Sequence, residues 1–200
     1  GHIAAIELGL SADSSLADRI AELRDRTFLS NSDAHSLPKI GREYNLLQME
    51  AGTFEELGRA LRREEGRCVV ANFGLDPRLG KYHRTFCEEC HWIATGPPPM
   101  TKCERCGSTK ATSGVLDRIC QIADHEDPVT PEHRGHYQHQ VPLQFVPGVG
   151  AVAYNRLLNR FGTEMSVLHA ATERQLGETV GSKKASLIVQ AREGTLPLQA

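Results

Sequence analysis

The chain is poor in aromatic residues, which make up 6% of 200 positions with a single tryptophan, and it has no long apolar run. No stretch approaches the roughly 18 apolar residues that a membrane-spanning helix needs, and no signal-peptide pattern is evident. The sequence therefore predicts an intracellular, cytoplasmic globular protein. Net charge is nearly absent: 23 Lys and Arg against 25 Asp and Glu leave −2, which argues against a generic polyanion-coating protein. No GxxxxGK[ST] run occurs, which argues against an ATP-driven motor. Cysteine is scarce too, at six residues. That is too few for a disulfide framework in a chain of this size, and four of them are paired at short spacing.

The charge that is present alternates along the chain. Residues 1–67 carry 9 basic and 12 acidic side chains, and residues 78–110 carry 6 and 3. Residues 111–140 carry 2 and 5, and residues 141–200 carry 6 and 4. Two mildly basic segments suit local contact with a polyanion.

Strand and helix signals alternate over the first 75 residues. Ile3 to Leu8 and Thr27 to Leu29 read as buried strands, and Leu16, Ala17, Ile20 and Leu23 recur at helical spacing between them. Thr53 and Glu56 form a capping box opening a helix that turns Phe54, Leu57 and Leu61 inward. Cys68 to Ala71 is a further strand. This alternation implies an α/β layout with a parallel sheet. Residues 76–112, rich in proline and glycine, exclude long helices. Residues 124–142 read as irregular and polar, with four histidines that lack ligand-like spacing to carboxylates. From Val141 onward the pattern is helical. The expected divisions are 1–75, 76–112, a connector at 113–140, and 141–200.

Cys87-x2-Cys90, then 12 residues, then Cys103-x2-Cys106, is the strongest chemical signal. Two such knuckles converge four thiolates on one tetrahedral ion, which describes a closed structural zinc site. It substitutes for a core that so short a segment cannot build. Cys68 and Cys120 read as ordinary core residues. A second signal is Asp33-Ala34-His35 directly after a strand, where an Asp and a His two apart can project together from the carboxyl end of a β/α unit. Their donors suit zinc, manganese or iron. A third is Val146-Pro147-Gly148-Val149-Gly150, echoed by Val180-Gly181-Ser182-Lys183-Lys184-Ala185. Glycines let backbone approach a phosphate, and the following helix start presents free N–H groups. The pattern resembles a tandem helix-hairpin-helix, with Gly148, Gly150, Gly181, Lys183 and Lys184 as candidate DNA contacts. A bundle with glycine C-caps is the alternative. Lys81 and Tyr82 add phosphate-pairing and base-stacking groups beside the knuckles.

The run Ser30-Asn31-Ser32-Asp33-Ala34-His35-Ser36, then Lys39-Ile40-Gly41-Arg42-Glu43, resembles the last metal-binding motif of polymerase-and-histidinol-phosphatase (PHP) domains. More narrowly it is similar to the endonuclease Q family. Ala5 to Ser11, Leu79 to His83 and Gly114 to Arg118 fit the same family, in its own order, over residues 3–195. The resemblance implies the last part of a PHP-type β/α barrel, then a zinc ribbon, then the hairpin region. It further implies a metal-dependent endonuclease of DNA repair that nicks 5′ of deaminated bases such as uracil or hypoxanthine. Asp33 and His35 would be catalytic-metal ligands, for zinc, manganese, iron or magnesium, and damaged duplex DNA the partner. A replication clamp is a further candidate partner, although no clamp-binding peptide is evident. The family's early His-x-His has no counterpart here, since His2 stands alone, so the chain is expected to be a fragment that does not cleave DNA by itself. Glu7 ends a neighbouring strand and is a candidate to face the site, with a core-rim or ion-pairing role as the favoured expectation. The competing readings are a non-catalytic DNA-binding module and a phosphoesterase for small phosphate esters.

Overall fold

The computed structural model describes residues 3–196. His2 and the terminal Leu198-Gln199-Ala200 lie outside the described residues. Two short strands, β1 (Ala5–Glu7) and β2 (Thr27–Leu29), pair in parallel, with Glu7 opposite Leu29. Between them the expected helix is broken in two. Asp13 caps α1 (Ser14–Ala17) by accepting from the Leu16 N–H, and a separate 3₁₀ turn follows at Ala21–Leu23.

A second sheet runs in the order β3 (Tyr44–Gln48), β4 (Cys68–Leu75), β7 (His136–Gln140). Its β4–β7 pair is parallel, but β3 is antiparallel to β4. The expectation of a parallel sheet is corrected here. The connection from β3 through α2 (Phe54–Arg62) is short, and it returns β4 against its neighbour in the opposite sense. Among the described residues the strands form this mixed sheet, the parallel β1–β2 pair and one small antiparallel pair in the cysteine segment, so the architecture is mixed α/β and not a closed barrel.

Two local expectations also change. Thr53 caps α2 by accepting from the Glu56 N–H, but the Glu56 carboxylate turns to Arg67 and to the Glu50 N–H instead of closing the box. Phe54, expected inward, is 92% exposed, because the first residue of α2 lies beyond the stripe that meets β4; Leu57 and Leu61 are half-buried. The stretch 124–142, expected to be irregular, ends in β7, which completes the second sheet. Its polar side chains hid a strand whose apolar support comes from β4.

Arg134, just before β7, fastens this return. Its guanidinium pairs with Asp18 at 2.7 Å, lies 3.5 Å from the Phe28 ring centroid, and donates to the carbonyls of Leu23, Arg24 and Arg26. Cys68 and Cys120 are half-buried, not core residues.

Between the strands of the second sheet lies the small cysteine-bearing segment, where β5 (Phe86–Cys87) pairs antiparallel with β6 (Ala111–Thr112). It is followed by α3 (Val115–Ile122). The remaining chain is helical: α4 (Ala151–Phe161), a π-helical turn at Ser166–Ala170, α5 (Glu173–Val180) and α6 (Ser182–Arg192). Leu143, Leu157, Val167, Leu176, Ala185 and Ile188 form its core and are wholly buried. Among the described residues no helix is long and apolar enough to cross a membrane.

Candidate functional site

The four cysteines come together. Their sulfurs all lie within 4.8 Å of one another, with Cys87–Cys106 at 3.6 Å and Cys90–Cys103 at 3.5 Å. A tetrahedral zinc with bonds of about 2.3 Å places its sulfurs about 3.8 Å apart, so the set fits that ion with no donor to spare. Each knuckle closes in the same way. The N–H of His91 donates to the Cys87 carbonyl, and that of Gly107 to the Cys103 carbonyl, both at 3.0 Å. Both residues take left-handed φ, 58° at His91 and 74° at Gly107.

As free thiols, Cys90 and Cys103 are driven in opposite directions. Amide donation from Cys106 draws Cys103 down to about 6, while burial pushes Cys90 up to about 12. A divalent cation that replaces the protons removes this conflict. The segment is anchored by Asp117 of α3, which is wholly buried. Its carboxylate accepts from the N–H groups of Met100 (2.7 Å) and Thr85 (3.0 Å) and from Arg84 Nε (3.1 Å). Burial pushes its pKa up, but these donors outweigh it and the net shift is downward. Gly114, just before α3, sits so close to the backbone of Arg84 and Thr85 that a Cβ would overlap it.

Asp33 and His35 lie on the loop leaving β2. Asp33 Oδ1 is 3.5 Å from His35 Nε2, and the side chains are 73% and 87% exposed respectively. Asp33 has a φ of 44°, a left-handed conformation that Asp tolerates better than most residues and that recurs at functional positions. Asp33 shares a concavity of about 560 Å³ with Glu7, Leu8, Gly9, Leu10 and Asn31. Glu7 thus opens onto the same space, exposed and without an ion pair among the described residues; the core-rim or ion-pair expectation for it is corrected.

Two asparagines that sequence reasoning missed hold the start of the loop. Asn45 of β3 accepts from the Ser30 N–H (2.8 Å) and donates to the Ser30 carbonyl (2.9 Å). Asn72 of β4, 1% exposed, donates to the Phe28 carbonyl and to Asn45. The available signal was a lone amide inside the apolar run Val69 to Phe73.

The segment carrying Lys81 and Tyr82 packs nearby. His83 Nδ1 lies 3.2 Å from the Ser11 carbonyl oxygen, and the carbonyls of Tyr82 and His83 accept the first N–H groups of α3. Tyr82 itself is 61% exposed, with Lys81 Nζ 5.2 Å from its ring centroid. Trp92 packs within the cysteine segment beneath Arg105.

The two glycine turns of the helical region converge. Pro147, Gly148, Gly181, Ser182, Lys183 and Lys184 line one concavity of about 500 Å³. Gly148 and Gly181 have φ of 79° and 90°. A Cβ on Gly148 would stand 3.6 Å from Lys184 Cε. Gly150 and Gly181 precede α4 and α6, whose first N–H groups receive no side-chain cap. Only the second turn has a full helix on each side, since a single 3₁₀ turn, Leu143–Phe145, precedes the first.

Comparison with known proteins shows what the chain resembles. Residues 13–65 match the PHP-associated family. The chain is 48% identical over 201 residues to the uncharacterized protein YqxK of Bacillus subtilis, covering 99% of this chain and 50% of that protein. It is 34% identical to the uncharacterized protein MJ0043 of Methanocaldococcus jannaschii, covering 96% and 26%. Among solved structures it resembles the lesion-specific endonuclease PfuEndoQ of Pyrococcus furiosus, with 35% identity, a TM-score of 0.71, and coverage of 95% and 50%. It also resembles an endonuclease Q bound to a 27-mer duplex with an abasic lesion at the active site, at 34% identity and TM-score 0.73, with coverage of 95% and 51%. The chain spans about half the length of these structures and half or less of the two curated relatives. The chain corresponds to the carboxyl-terminal portion of endonuclease Q-like proteins, with a PHP-associated segment and a four-cysteine cluster.

Proposed function

We propose that the chain is part of a metal-dependent DNA repair endonuclease that nicks 5′ of deaminated bases. The observation that carries this reading is the likeness, along 95% of the chain, to an endonuclease specific for lesions. Asp33, in the concavity that Glu7 also lines, and His35, 3.5 Å from it, supply two donors of a catalytic metal set. A divalent ion held there would activate water and polarise the phosphodiester. Two exposed donors are part of such a set, so the remainder must come from elsewhere in the full enzyme.

The other residues act on DNA. The four cysteines hold a structural zinc that keeps Lys81 and Tyr82 presented beside the Glu7–Asp33 concavity. Gly148, Gly150 and Gly181, with Lys183 and Lys184, act as paired hairpins on the phosphate backbone, through uncapped helix N–H groups and countercharge. The damaged base leaves the stack to be read at its pairing edge. Duplex DNA is thus the partner.

A second reading, a DNA-binding module without catalysis, draws on the exposure of Asp33 and His35 and on the metal-ligand geometry. Among the described residues only the cysteines form a group of three or more metal-binding side chains. The two readings separate by cleavage of end-labelled duplex carrying one deoxyuridine or deoxyinosine, with manganese or magnesium. The assay compares this chain with a longer protein that also holds the half represented in its relatives. Nicking by the longer protein, abolished by Asp33→Ala, is expected. Salt-sensitive binding by both without nicking would leave the module reading in place.

A further inference from the structure

A small cavity of about 170 Å³ lies where the second sheet meets the helical region. Its polar wall consists of Gln138, His139 and Gln140 from β7, His169 from the π-helical turn, and Arg192 from the end of α6, with Phe73 as an apolar floor. No acidic residue lines it among the described residues. Arg192 has no carboxylate partner among them. Its Nη2 donates to the carbonyls of Val167 and Ala171, its only side-chain hydrogen bonds among the described residues. A guanidinium that lines a space with donors left over is the kind of group that a bound anion satisfies.

Size narrows the class of ligand. Ligand pockets for drug-sized molecules run from about 300 Å³ upward, so a nucleotide is too large. A water occupies about 30 Å³ of liquid, so the space holds about five or six water-sized groups, enough for a tetrahedral oxyanion. We propose that this cavity binds a free oxyanion of the phosphate class, held by Arg192 with the two glutamine amides, and that the anion ties the helical region to the sheet.

One titrating group makes the site observable. His169 is held below its ordinary value by burial and by Arg192. The imidazole of His139 is turned to Asp13, with Nε2 2.9 Å from Oδ2. An anion paired with Arg192 relieves its repulsion of His169, so the His169 pKa rises on binding. The test follows the His169 ring resonances by NMR in the full chain while inorganic phosphate replaces chloride at constant ionic strength. A saturable rise of the His169 pKa is expected, with at least tenfold weaker binding in Arg192→Gln. Because that substitution removes two carbonyl bonds, Gln138→Glu serves as the second variant. It keeps those bonds, places a carboxylate in the wall, and should abolish the response. A Lys183→Ala/Lys184→Ala protein should retain it, which separates this cavity from the hairpin surface. No saturable change in the wild-type chain, or an equal change in Gln138→Glu, overturns the proposal.

Discussion

Arg134 shows how much one side chain can hold. It is 3% exposed, and its partner Asp18 is wholly buried. The second oxygen of Asp18 has no other partner. Truncating Arg134 leaves that carboxylate buried and uncompensated, a change that costs about 3–5 kcal/mol where a buried pair loses one member. Arg134→Ala should lower the urea midpoint accordingly. Replacing both partners together, as Arg134→Met with Asp18→Leu, should recover most of the loss, because the charge is removed along with its partner. An equal loss in the double variant would place the effect in the carbonyl and Phe28 contacts instead.

At the scale of elements, the cysteine segment and the strands behave differently. The segment has two strands of two residues each and four thiols in place of a core. It should bind one zinc per chain by elemental analysis, and chelation should expose its amides to hydrogen exchange while those of β4 stay protected. Loss of protection in β4 at the same chelator concentration would show that the metal supports the whole fold. The β7–α1 junction gives a pH dependence. His139 Nε2 lies 2.9 Å from Asp13 Oδ2, with Asp76 and Arg78 also facing it. The Asp13 hydrogen bond raises His139 above 6.5, so its contribution is full below about 6.5 and lost as pH rises through the raised value. The stability difference between wild type and His139→Gln should therefore shrink from pH 6 to pH 8 in urea titrations. A difference that is constant over this range would assign the pair a purely steric role. These elements were unequally legible in the sequence. The cysteine spacing announces its own geometry, because four ligands at fixed intervals admit one closure. The Asp33-x-His35 pair was visible as residues, but its setting was not. The loop start is held by Asn45 and Asn72, which belong to strands distant in sequence, and Glu7 reaches the concavity only through the β1–β2 pairing. β7 escaped detection because five polar or aromatic residues carry no apolar alternation; β3 was not read as a strand, and its antiparallel pairing departs from the expected parallel sheet because local pattern does not encode strand direction.

At the scale of the whole molecule, a net charge of −2 means that the proposed DNA affinity must come from placement and not from bulk attraction. The proposed contacts are set at two places, the Lys81–Tyr82 segment and the concavity between the two glycine turns. Each phosphate contact releases counterions, so the logarithm of the binding constant falls with the logarithm of salt by about 0.9 per contact on duplex DNA. Lys183→Ala and Lys184→Ala should each reduce that slope by about 0.9 if each neutralises one phosphate, with little dependence on DNA sequence. Tyr82→Ala should act differently. A stacking contact carries no counterions, so the variant should weaken binding to lesion-bearing or single-stranded DNA at all salt concentrations and leave the slope unchanged. Fluorescence anisotropy between 50 and about 200 mM salt, the range over which such contacts separate clearly, measures both quantities together. Unchanged slopes in both lysine variants would remove the concavity from the DNA interface and return its glycines to the role of helix ends.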